Sequence, residues 1–136
     1  MAAFPGRVSG ARGVQAAGSV AFALALAGCV TWHPATVAPQ AVECRDRPHC
    51  DRVWSALQVW LVNNCRMRIQ TATDAVIQTF RPGDSNTLGY TATRTLRADG
   101  GGSIAVRAVC EATVYGCIAN PETATTNLAA SLRLVN

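Results

Sequence analysis

"DRVWSALQVWLVNNCRMRIQTATDAVIQTF", residues 51–80, changes its hydrophobic period halfway along, and that change decides the fold. In its first half Val53, Leu57, Trp60, Leu61 and Cys65 recur every three or four residues, the buried stripe of an amphipathic helix. Asp51 is expected to cap the first turn, and Asn63-Asn64 to end the helix. From Arg66 the period becomes two. "RMRIQT" (66–71) puts Met67 and Ile69 on one face, and "AVIQTF" (75–80) returns after a turn at Thr73-Asp74.

The strand pattern continues outward. "RPGDSN" (81–86) is a turn, and "TLGYTATRTLR" (87–97) sets Leu88, Tyr90, Ala92 and Leu96 on one side with Thr and Gly on the other. "ADGGGS" is the next turn, after which Ile104, Val106, Ala108 and Cys110 share a face. Asn120 as N-cap, Pro121 at the first helical position and Glu122 in the first turn then open a final helix. Its apolar stripe is Ala124, Leu128, Leu132 and Val135. The expected fold is α+β: a two-layer domain over residues 44–136, in the order helix, four-stranded antiparallel meander, helix. Both helices are expected on one face of the sheet, leaving a Thr-rich solvated face.

The N-terminus follows different rules. Arg7 and Arg12 precede an uncharged, Ala- and Leu-rich run from Val14 to Ala27, the pattern of a secretory signal. A membrane span needs about 18–20 apolar residues, and this run is shorter. Its last four residues, Leu26-Ala27-Gly28-Cys29, resemble the lipobox of bacterial lipoproteins. The resemblance implies cleavage between Gly28 and Cys29, a diacylglyceryl group on the Cys29 thiol, and usually a further acyl chain such as palmitate on the new amine. Residues 1–28 are then the signal peptide, and the mature chain has 108 residues. At about 0.8 kcal/mol per buried methylene, two or three acyl chains anchor a protein stably. Val30 follows the cysteine, where an Asp commonly retains such proteins in the inner membrane. By the same resemblance the expected address is the outer membrane, facing the periplasm.

Residues 29–43 carry Pro34 and Pro39 with no clear period, and are expected to form an extended lipidated tether. Stretched out, residues 30–43 reach about 45 Å. Trp32 is expected either at the membrane interface, which indole favours, or simply exposed in the linker. Farther on, a helix with "VW" repeats, then "RIQTATDAVIQTF", then a Cys-bounded loop before a terminal helix, resembles small bacterial lipoproteins without an assigned activity. That resemblance bears on the fold and implies no mechanism.

Without its signal the chain falls from a formal charge of +4 to about +2, so its basicity is partly a targeting feature and gives no argument for nucleic acid. Five cysteines remain in the mature domain. Export to an oxidising compartment makes disulfides the default, and the local pairs are Cys44–Cys50 and Cys110–Cys117. The remaining Cys65 lies on the helix stripe, which favours burial as an inert thiol; pairing between chains is the alternative.

The sharpest chemical candidate is "CRDRPHCD" (44–51). Its cysteines are farther apart than the usual zinc-binding pair and no second pair matches them, so it reads as a disulfide loop leading into the helix. His33 and His49 lack a nucleophile and an orienting third group at recognisable spacing, and Asp74, Asp84 and Asp99 fall in turns. "DGGGS" lacks the Lys and the following helix of a phosphate loop. No catalytic residue, metal or cofactor is therefore expected. Arg66, Arg68, Arg94, Arg97 and Arg107 raise a further possibility, that an exposed face gathers several of them into an anion-attracting surface. The expected function is that of a lipid-anchored, non-catalytic accessory that binds another envelope protein through the Thr/Arg face or a sheet edge. The alternative is a binder of a small ligand or polyanion, using a pocket between helix and sheet.

Overall fold

The computed structural model describes residues 30–35 and 37–136; the expected signal peptide and the Gly28-Cys29 processing point lie outside the described residues. The element order is β1 (Gln40–Cys44), α1 (Arg47–Asn64), β2 (Ile69–Ala72), β3 (Val76–Thr79), β4 (Gly89–Leu96), β5 (Gly102–Val109) and α2 (Pro121–Arg133). The fold is α+β, and the sheet is antiparallel in the order β1-β5-β4-β3-β2. The sequence predicts four strands, and the sheet has a fifth, β1, placed before the first helix. "QAVEC" does alternate, with Val42 and Cys44 buried and Ala41 and Glu43 exposed. It is short and follows Pro39, a residue that an edge strand tolerates, so it is hidden in a proline-punctuated segment.

Helix α1 also begins earlier than its hydrophobic stripe suggests. Asp46, not Asp51, is the N-cap: its carboxylate accepts from the His49 amide at 2.8 Å, and Pro48 fits the first turn, where no amide donor is needed. Val53, Leu57 and Leu61 are buried as the stripe predicts, and Trp54 joins them, its indole N–H donating to the Thr73 carbonyl at 3.2 Å. The core fills the space between both helices and one face of the sheet, from Val42, Ile77, Ala92, Ile104 and Val106 to Leu128 and Leu132. The buried Thr125 ties α2 to β5: its hydroxyl donates to the Pro121 carbonyl at 2.7 Å and accepts from the Ala108 amide at 2.8 Å.

Two disulfides staple the domain. Cys44–Cys50 joins the end of β1 to the first turn of α1, and Cys110–Cys117 closes the loop between β5 and α2, with Cα separations of 5.1 and 6.3 Å. Cys65 is free and half-buried at the end of α1. Burial pushes its thiol pKa up, against a smaller opposing effect of the Met67 amide. The same burial, with a smaller contribution from Cys65, raises the Tyr90 phenol to about 12; Trp60 packs edge-on against its ring at 5.4 Å.

The described residues between 30 and 39 do not stand away from the domain. His33 and Cys117 exchange two backbone hydrogen bonds of 2.8 Å, Val37 is buried, and the chain runs on directly into β1.

Candidate functional site

The two cysteines, the two aspartates and His49 of the 44–51 cluster all have structural partners. Cys44 and Cys50 are bonded to each other, and Asp46 caps α1. His49 Nδ1 accepts from the Arg45 amide at 3.3 Å, which leaves the Nε2 proton to donate to the Val135 carbonyl at 2.9 Å. Asp51 pairs with Arg94. Among the described residues no three His, Cys, Asp or Glu side chains stand together in an arrangement that could hold a metal ion. His33 lies by Cys117, remote in sequence from His49, and Asp84 and Asp99 bond to backbone amides of their own turns.

The five arginines weighed as a surface are dispersed. Arg94 shares the inward parity of Tyr90 and Ala92 on β4, and its side chain is 6% exposed. It takes a place near the start of α1 because Asp51 supplies a counter-charge there. Leu96, expected inward, is exposed at the end of β4. Arg97 bonds Glu43 at 2.9 Å and lies 3.6 Å from Asp99. Arg66 and Arg68 line a shallow depression with Leu61, Cys65 and Ile69 at the far end of α1. Only Arg107 of the five stands in the middle of the open sheet face.

That face has a legible order. The strand register aligns Gln78 of β3, Thr91 of β4 and Arg107 of β5 in one row. The next row is Val76, Thr93, Ala105 and Ala41. Depressions of about 290 and 350 Å³ flank the first row and share all three of its side chains. The first is bounded also by Ala35, Arg81 and Val109, the second by Pro39 and Val76. Arg81 is held by Glu111 at 3.0 Å, whereas the buried Nε of Arg107 has no hydrogen-bond partner among the described residues. A buried donor without an acceptor costs free energy until something supplies one. The row is thus a shallow polar platform with one unsatisfied cationic donor at its centre. Parity along each strand could have revealed the outward residues, but the row also needs the register of β3 on β4 and of β4 on β5, which belongs to the paired strands and not to either one alone.

Between the helices and the sheet the core fills the middle of the layer, and the depressions there are shallow ones at its margins, between the end of α1 and Ile69 and beside Glu122 and Thr125 of α2; the two beside Arg107 lie on the opposite face of the sheet. The two sheet edges differ. On β1 the Ala41 carbonyl accepts from Arg133 at 3.2 Å and Gln40 bonds Thr126, so α2 guards that edge; β2 is short, bulged and exposed. No described helix is long and apolar enough to cross a membrane.

These features define an α+β domain with one covered and one open sheet face. Compared with known proteins, the chain matches no family model, no curated protein and no solved structure.

Proposed function

We propose that this chain is a lipid-anchored protein of the bacterial cell envelope, held at the periplasmic face of the outer membrane through Cys29, whose domain binds another envelope protein without catalysing a reaction. The targeting part rests on the order of Arg7 and Arg12, the apolar run and Leu26-Ala27-Gly28-Cys29. The binding part rests on one observation, the open Gln78–Thr91–Arg107 row with its unpaired Arg107 Nε. Arg107 has no ion-pair partner among the described residues, so an acidic side chain from a partner could pair with the exposed part of its guanidinium, and a charge-assisted bond of this kind is stronger than a neutral one. The adjacent row of Val76, Thr93, Ala105 and Ala41 adds mostly small side chains that keep the surface around it flat.

The test is a photo-crosslinking residue at Thr93, beside the row, in cells expressing the full chain. A single stoichiometric protein adduct that disappears with Arg107→Ala supports the accessory reading. The second reading, a polyanion or small anionic ligand, draws on the two depressions beside Arg107. It predicts no protein adduct, and a rise in melting temperature with a soluble polyanion that Arg107→Ala removes.

A further inference from the structure

The exposed apolar side chains of the domain are not scattered evenly. Val30, Trp32, Val114, Tyr115 and Ile118 are all exposed, and the strand-like pairing of His33 with Cys117 brings their two segments together. Trp32 and Tyr115 stack with ring centroids 5.5 Å apart. The loop that carries Val114 and Tyr115 is rigidly built. Cys110–Cys117 closes its base, and Thr113 and Gly116 exchange backbone hydrogen bonds of 2.9 and 3.0 Å across its tip. Gly116 has φ +109°, and a Cβ there would stand 2.5 Å from the His33 carbonyl oxygen, so the turn and the docking of residue 33 both require glycine. The result is a fixed tip on which Val114 is 93% and Tyr115 72% exposed. Folding leaves in water two large side chains that the turn holds outward.

We infer that this patch is a membrane-contact surface that seats the domain in the interface of the same bilayer that holds its lipid. The inference rests on the lipoprotein reading above and goes beyond it, because an anchored domain on a long free tether would need no such surface. Val30 directly follows Cys29, so an acylated Cys29 lies at most about 11 Å along the chain from Trp32. The polar layer on each side of the hydrocarbon is about 6 Å deep. The pairing at His33 leaves no slack between lipid and domain, and the first residues after the anchor run onto the patch itself.

The chemistry of the patch fits that position. Trp and Tyr favour the membrane–water interface, where an apolar ring can be buried while its polar tip stays wet. The segments 30–42 and 112–120 contain no acidic residue, so nothing in them repels anionic headgroups. Seating the patch would leave the Gln78–Thr91–Arg107 row at a fixed height above the membrane, which is how an accessory protein could present one face to a neighbour.

The full chain, purified from membranes with its mass measured, would be placed in phosphatidylethanolamine–phosphatidylglycerol vesicles whose acyl chains carry bromine. Indole fluorescence is quenched by bromine only at short range. We expect quenching in the acylated protein that falls at least about twofold in Trp32→Phe, because Trp54 belongs to the core and Trp60 is partly buried against it. Val114→Asp/Tyr115→Asp alters only exposed positions and is expected to lower the quenching to the same degree with an unchanged circular dichroism spectrum. An acylated protein whose quenching is the same with and without Trp32 overturns the membrane seat and leaves the lipoprotein reading standing. A chain without acyl mass on Cys29 overturns both.

Discussion

The protein closes two loops of almost equal length with the same bond, Cys44–Cys50 with a sequence separation of 6 and Cys110–Cys117 with one of 7, and the two loops face opposite ways. The first encloses "RDRPH"; Arg45, Arg47 and Pro48 are exposed, while Asp46 and His49 bond to the fold itself. Asp46 caps α1, His49 reaches the Val135 carbonyl near the C-terminus, and the Cys50 amide bonds the Asp46 carbonyl at 2.9 Å. The second encloses "EATVYG" and satisfies its backbone by a turn of its own, leaving Val114 and Tyr115 outside. A staple therefore says that a loop is rigid; the residues between the cysteines say what the rigidity is for. One loop starts a helix and fixes it to a strand, and the other displays two side chains.

The comparison breaks most directly when the staples are removed one at a time. Chain entropy depends on loop length, so Cys44→Ala/Cys50→Ala and Cys110→Ala/Cys117→Ala should each cost about 2–3 kcal/mol in urea unfolding. The costs are expected to be similar, but the damage is expected in different places. Hydrogen exchange should accelerate at His49 and Cys50 in the first variant, and at His33 and Cys117 in the second. Equal acceleration of both regions in either variant would mean that the loops are one cooperative unit.

Ion pairs near the two loops sharpen the contrast at a smaller scale. Asp51→Asn leaves the buried Arg94 without its carboxylate, and its Nε already has no partner. Because Asp51 itself is about half exposed, the expected loss is about 1–3 kcal/mol, below that for breaking a fully buried pair. Glu111→Gln breaks the Arg81 pair, in which Arg81 is 82% exposed, and should cost no more than about 0.5 kcal/mol. A urea series on the two variants checks the order. A Glu111→Gln loss as large as that of Asp51→Asn would remove the distinction between an inward and an outward loop.

The first loop was also the harder one to place from sequence, for a physical reason. Helix periodicity reports where apolar side chains recur, so Val53, Leu57 and Leu61 were legible, as were Leu128 and Leu132 in α2. The first turn of α1 is polar and covalently tied, and its start at Asp46 shows only as a cap, a proline and a disulfide acting together. The α2 start was legible because Asn120, Pro121 and Glu122 adjoin directly; the Asn120 carbonyl oxygen of the side chain accepts from Thr123 at 3.0 Å. β1 was missed because pairing with β5 lends it stability that five residues beside a proline do not carry alone. The Arg107 row needed register, and register is a property of two or more strands. The Trp32–Tyr115 pair joins residues far apart in sequence through backbone bonds at His33, which no local pattern encodes.

The smallest expected effect concerns acid. The His49 amide, with lesser help from Arg45, Arg52 and His49, holds the Asp46 carboxyl below its ordinary value of 3.8. The folded chain therefore binds that proton less readily than the unfolded chain. The stabilisation is fully present above pH 3.8 and is lost as pH falls through the lowered folded value. Asp84 behaves in the same direction because the Asn86 amide and the Thr87 hydroxyl donate to its carboxylate. Asn caps a helix as well as Asp, so Asp46→Asn should match the parent at pH 7 and show a shallower loss of urea midpoint below pH 3.8. Asp84→Asn provides the control, since it should flatten the same limb without slowing the acid-induced increase in exchange at His49. An Asp46→Asn acid limb as steep as the parent's would show that the first loop draws its stability from the staple and the neutral cap geometry, and that the carboxylate charge adds nothing the second loop lacks.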